Sequence, residues 1–238
     1  MSAIDSTPVN KRSESPTAGR ALNCLREQTS AAHSALDETL QIVDRLSVKE
    51  QRVHLLAGYH LLHQEIETKV APFLGGIADL DFFARRRSPH IAEALGSIDQ
   101  SAFADSTPRA FSSEVDTGLR WENASNKDVE PPFRLNRNGK GSSPDIRTRA
   151  EALGAFYVLE GSSLGGRVIL KELKSRGASL TGLGFLDPYG PDTGQRWRSF
   201  LVILERELNS CEQKADAVKG AMNTFAFANA CLRKESAN

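Results

Sequence analysis

The feature that most restricts the fold of this chain is a run of mostly apolar residues near its start. Leu22, Leu25, Thr29, Ala32, Leu36, Leu40 and Val43 recur at three- and four-residue steps. That spacing returns to one side of an α-helix and cannot line one face of a strand. The same period returns along the chain. Ser47-Val48-Lys49-Glu50 reads as a capping box opening a second helix, which runs to about Val70 before Pro72. Ser88-Pro89 starts a short helix that Gly96 ends. Ser143-Pro144 starts another that reaches about Arg176 and stops at Gly177. Trp197, Leu201, Leu204 and Leu208 form a stripe. A second capping box, Ser210-Cys211-Glu212-Gln213, opens a last helix striped by Val218, Met222, Phe225 and Leu232. No segment alternates with period two. The expectation is one all-α domain without repeats.

Two stretches interrupt this pattern. Residues 1–19 are rich in Ser, Thr and Pro and read as a disordered tail. Residues 104–148 include Pro131-Pro132 and the run Asn136-Arg137-Asn138-Gly139-Lys140-Gly141, and read as a long flexible insertion inside the helical domain. The domain itself is expected over 20–235. Thirty basic and thirty acidic side chains cancel, which argues against a general nucleic-acid binder. No apolar run is long enough to span a membrane, and the first 20 residues lack the apolar segment of a secretory signal. Cys24, Cys211 and Cys231 are far apart and form no CxxC. Free thiols in a reducing cytoplasm are expected.

The segment Gly161-Ser162-Ser163-Leu164-Gly165-Gly166 matches G-x-S-x-G, the nucleophile elbow of α/β-hydrolases. That chemistry needs a strand before the serine and a histidine after it. Here the preceding residues are helical, and all five His precede residue 163. The glycines need another explanation, since each costs a helix about 1 kcal/mol relative to Ala. Gly161 and Gly165 share a face, and Gly166 flanks it. Either two helices approach closely there, or a flat ligand lies against bare backbone.

His33 is the second candidate. It lies beside the apolar stripe, with Thr29 and Asp37 four residues to either side and Arg26 seven before. Arg26 is therefore roughly 10.5 Å along the helix axis, at about 1.5 Å per residue. The face offers a nitrogen ligand for iron and, two turns away, a cation for a carboxylate; on these residues alone a half-buried structural His with a solvated Arg is the favoured reading. His54, His60 and His63 are expected at the surface or facing a partner, and His90 as structural. Arg85-Arg86-Arg87 reads as a solvated basic run that could meet an acidic electron donor.

Together these residues resemble the haem oxygenases, in particular the bacterial branch encoded beside bacteriophytochromes. The matching stretches are Leu25-Arg26-Glu27-Gln28-Thr29-Ser30-Ala31-Ala32-His33 with Asp37, and Ala152 to Gly166. Trp197-Arg198-Ser199-Phe200 and Thr224-Phe225-Ala226-Phe227 add support. The resemblance implies a single-domain helical bundle in which haem is both cofactor and substrate, cleaved with O₂ and electrons to biliverdin, CO and Fe²⁺. It implies that His33 is the iron ligand, its other nitrogen held by a neighbouring group. Gly161, Ser162 and Gly165 would form the helix over the opposite side of the ring, with Gly166 beside them. Arg26, Tyr157 and Arg198 would lie near the propionates and Phe225 in the wall. Animal-type enzymes carry Asp where this chain has Ser162, so serine hydroxyls, backbone and water must supply protons. The electron donor would be a ferredoxin or a flavin/NADPH reductase, and a bacteriophytochrome could receive the biliverdin. Two other readings remain at this point: a haem-binding or haem-buffering protein without turnover, and a non-haem enzyme on the same fold, as in thiaminase-like and quinone-cofactor synthesis relatives.

Overall fold

A computed structural model describes residues 20–104 and 143–233. The expected tail, most of the expected insertion and the last two residues of the expected domain lie outside these. Among the described residues there are seven α-helices, three short 3₁₀ turns and no strand. The helices are α1 (Arg20–Leu40), α2 (Ile42–Ser47), α3 (Lys49–Leu74), α4 (Ser88–Ala104), α5 (Arg149–Ser175), α6 (Thr193–Glu207) and α7 (Cys211–Leu232).

α1 buries Ala21, Leu22, Leu25, Thr29 and Leu40. In its first turn Glu205, on α6, accepts from the Ala21 and Leu22 N–H groups at 3.2 and 3.0 Å. The stripe expected to run through Val43 is broken at Gln41, which takes the left-handed conformation (φ 43°, ψ 47°). The chain turns there, and Arg45 of α2 donates to the Leu232 carbonyl at the end of α7. The expected Ser47 capping box does not form. Ser47 Oγ bonds back to the Val43 carbonyl at 2.8 Å, and Val48 takes the N-cap position. α3 also continues through Pro72 to Leu74. A proline this near the end removes only one helical bond.

α4 passes Gly96 and ends at Ala104, longer than expected. α5 starts six residues later than the Ser143-Pro144 signal implied. Thr148 and Glu151 form a capping box, Glu151 N–H donating to Thr148 Oγ1 at 3.1 Å. Residues 143–147 are non-helical, and Lys69 Nζ donates to the Ser143 and Pro144 carbonyls at 3.4 and 3.0 Å. α5 ends as expected, with Gly177 at φ 69°. The Ser210–Gln213 box caps α7 as read from the sequence, although Met222 is exposed and not part of the buried stripe.

α5 packs against α3, α6 and α7. A side-chain carbon on Gly154 would lie inside the Ala217 carbonyl, and one on Gly220 inside the Glu151 carbonyl. These two glycines let α5 and α7 touch backbone to backbone. Gly58 does the same for α3 against Cys231. The interior is filled by Leu25, Leu55, Ile66, Phe156, Phe200, Phe227 and their neighbours.

Candidate functional site

Between α1 and α5 lies a cavity of about 1020 Å³. That is at the top of the roughly 300–1,000 Å³ range of small-molecule sites. One side is α1, with Leu22, Arg26, Thr29, Ser30, His33 and Leu36. The facing side is α5, with Tyr157, Val158, Gly161, Ser162, Leu164 and Gly165. Tyr59, Leu62 and His63 of α3 and Phe225 of α7 close the walls. The end toward α6 carries Arg26, Tyr157 and Trp197. The other end, with Leu40, Ile42, Phe185 and Leu186, is apolar. The slot therefore suits a flat, largely apolar molecule with acidic groups on one edge.

His33 presents its ring to this space, its side chain 64% exposed. Asp37 Oδ2 lies 2.9 Å from Nδ1 and favours the proton there. Nε2 then carries the lone pair, and it has no partner among the described residues. Phe225 meets the ring edge-on at 5.9 Å. No group of three or more His, Cys, Asp or Glu able to hold a metal occurs among the described residues. A lone imidazole would be enough to hold an iron whose remaining ligands come with a macrocycle. These residues fit a haem.

The glycines of α5 divide by role. A side-chain carbon on Gly165 would meet nothing within 4 Å, and one on Gly161 only the Trp197 ring at 3.7 Å. Neither is needed for helix packing, and both leave bare backbone facing the cavity. Gly166 differs from the expectation. A side chain there would collide with the Leu186 backbone, so its missing Cβ serves the close approach of the 3₁₀ turn Gly184–Leu186. Arg198 also stands apart, exposed on α6 beside Gly194 and outside the cavity walls. Arg26, His33, Tyr157, Gly161, Ser162, Gly165 and Phe225 all meet at the cavity.

Sequence reasoning missed a polar network behind the α5 wall. Arg85 and Arg87, read as solvated, are each 3% exposed. Arg87 donates to Ser162 Oγ at 3.0 Å, to Ser163 Oγ at 2.6 Å and to the Leu159 carbonyl. Arg85 donates to Glu160 Oε2 at 2.6 Å and to Ser199 Oγ at 2.8 Å, and Tyr189 donates to Glu160 Oε1 at 2.9 Å. Two arginines of one loop thus grip α5 on either side of Gly161. His63, read as surface, is 1% exposed and hydrogen-bonds Glu67 Oε1 through Nδ1 at 3.1 Å. Glu67 also accepts from Arg87 N–H at 2.7 Å and Ser88 Oγ at 2.6 Å. Burial alone would raise the Glu67 pKa, but the bonds from His63, Ser88 and the Arg87 N–H hold it down at about 2. Burial lowers the His63 pKa despite Glu67, so its ring is neutral. Burial pushes the Tyr59 hydroxyl on the cavity wall up to about 12. The i, i+4 spacing of His63 and Glu67 was visible in the sequence; their burial was not.

Residues 134–234 match the family model described as Heme oxygenase. A curated heme oxygenase of Xanthomonas campestris pv. campestris (strain 8004) is 37% identical over 93 residues, 39% of this chain. The aligned stretch spans 56% of that relative's length. The NO- and CO-bound heme oxygenase of Neisseria meningitidis has the same fold, with a TM-score of 0.60 at 22% identity over 91% of each chain.

Proposed function

We propose that this chain is a member of the haem oxygenase family that binds haem between α1 and α5 and cleaves it to biliverdin, CO and Fe²⁺, a reading supported by the match over 134–234, the 37% identical relative and the shared fold. The observation that carries this reading is the slot itself, with a free imidazole nitrogen on one side and side-chain-free backbone on the other. Haem supplies the iron at which O₂ is reduced and the carbon skeleton that is oxidised. His33 Nε2 holds the iron, and Asp37 fixes the ring by holding Nδ1–H. An imidazole from His33, unlike a thiolate, would give the iron little electronic push. On the facing side of the slot, Gly161 and Gly165 leave room for a diatomic molecule and water.

Arg87 fixes the serine hydroxyls at this wall. Ser162 Oγ accepts from Arg87 and gives its own proton to the Leu159 carbonyl at 2.8 Å. His63 gives its Nδ1–H to Glu67 at the cavity wall, where its ring can help to hold a water. Arg26 pairs with a propionate, Tyr157 flanks it, and Phe225 and the leucines exclude bulk water. Electrons come from an external donor, a ferredoxin or a flavin/NADPH reductase, and a bacteriophytochrome takes the biliverdin in the cytoplasm. No helix among the described residues is long and apolar enough to cross a membrane.

The test adds haemin to the pure protein, then ascorbate or a ferredoxin system in air. The expected result is a His-ligated haem spectrum followed by a green bilin identified by mass. Haemin that binds without yielding a bilin under either reductant refutes the oxygenase reading. Absence of binding refutes the site.

A further inference from the structure

Arg26 and Trp197 both stand at the α6 end of the slot, but they constrain a ligand differently. Arg26 is an exposed cation on a flexible stem. It selects the acidic edge of a ring but does not hold an angle, because its stem follows the edge. Trp197 is held on three sides. Its six-membered ring lies 3.7 and 3.9 Å from the point where a Gly161 side chain would begin. Tyr157 packs against it at 5.7 Å, tilted 42°. Phe200, fully buried, packs behind it at 5.9 Å and closes edge-on against Phe156 at 5.6 Å. The indole's remaining side lines the cavity.

Resting on the haem reading above, we infer that Trp197 is the specificity-determining wall of the slot: it sets the in-plane rotation of the ring and so decides which meso carbon is opened. The four meso positions of a porphyrin differ in the methyl, vinyl and carboxyethyl groups that flank them. Turning the ring in its plane sweeps those groups past the end wall. An indole wedged between backbone and two aromatic rings cannot yield, so, of the angles that keep the acidic edge at Arg26, the ring takes only those at which the groups beside that edge clear the indole. Gly161 enters the same argument, since any side chain on it would reach the indole.

The experiment compares the wild type with Trp197→Ala and Trp197→Phe. The hyperfine-shifted haem methyl signals in the proton NMR spectrum of the ferric cyanide complex report ring rotation without turnover. Chromatography of the bilin formed with ascorbate in air reports the carbon opened. The wild type is expected to show one dominant methyl pattern and one dominant isomer. Trp197→Ala should raise the minor-to-major ratio at least tenfold in both readouts, and Trp197→Phe should move it the same way by less. A folded variant with the wild-type methyl pattern overturns the inference, as does a wild type whose orientations are already mixed. If Trp197→Ala does not fold by circular dichroism, Trp197→Phe decides by the same criterion. A wild type that binds haemin with one orientation but makes no bilin refutes the oxygenase reading and leaves the methyl pattern to judge Trp197.

Discussion

Two glycines on the same helix should respond in opposite ways to the same added methyl group. At Gly165 a new Cβ meets nothing within 4 Å, so the only effect on the ligand-free protein is helix propensity. Alanine is favoured there by about 1 kcal/mol, which raises Tm by about 2–4 °C in a domain of this size. At Gly154 the same propensity gain applies, but the new Cβ falls inside the Ala217 carbonyl. α5 and α7 must separate, at a cost of roughly 1–3 kcal/mol or more from overpacking. Gly154→Ala should therefore lower Tm while Gly165→Ala raises it. Thermal unfolding of the ligand-free proteins by circular dichroism reads both. A haemin titration of Gly165→Leu completes the set, since that bulk fills the space over the ring and should abolish bilin output. A Gly165→Ala protein that melts below the wild type would show that this glycine is needed for packing. Normal bilin output from Gly165→Leu would remove the bare-backbone roof from the account.

Four other outcomes follow from the geometry. His33→Ala should lose the His-ligated haem spectrum and turnover, and full activity with an unchanged spectrum would refute the ligand assignment. Asp37→Ala should cost about 10–100-fold in haem affinity or activity, measured by titration and bilin yield, because the imidazole loses its Nδ1 partner. Arg85→Ala strands the buried Glu160 carboxylate and should destabilise the protein by about 3–5 kcal/mol in urea unfolding; a loss under 1 kcal/mol would mean water repairs the site. Glu67 has a folded pKa below its unfolded value, so its contribution is full above about pH 4.5 and fades as pH falls toward about 2. Urea unfolding between pH 6 and 3 should therefore show a steeper loss for the wild type than for Glu67→Gln, and parallel curves would contradict the assignment.

What the sequence disclosed followed from how local each signal is. The α7 start, the α5 end at Gly177, and the shared face of Arg26, Thr29 and His33 depend on residues within two turns of each other. Those two limits and that face were legible for that reason. The Thr148–Glu151 box was equally local, but the Ser143-Pro144 signal masked it. Arg85 and Arg87 find their partners across more than seventy residues, in Glu160, Ser162 and Ser163. A run of three arginines shows nothing of this in its own neighbourhood and reads as surface. Gln41 was hidden for a related reason. Its left-handed turn stands beside the contact of Arg45 with Leu232, and nothing in a glutamine favours that conformation. Spacing put Gly166 beside the face of Gly161 and Gly165, but it could not show that the Leu186 backbone occupies the place of its side chain.

The carboxylate that closes the first turn of α1 belongs to Glu205, more than 180 residues further along the chain. The helix bearing His33 therefore begins on an acceptor that does not yet exist while the N-terminal half emerges from the ribosome. The cavity face that α1 supplies is therefore completed only when synthesis is almost over.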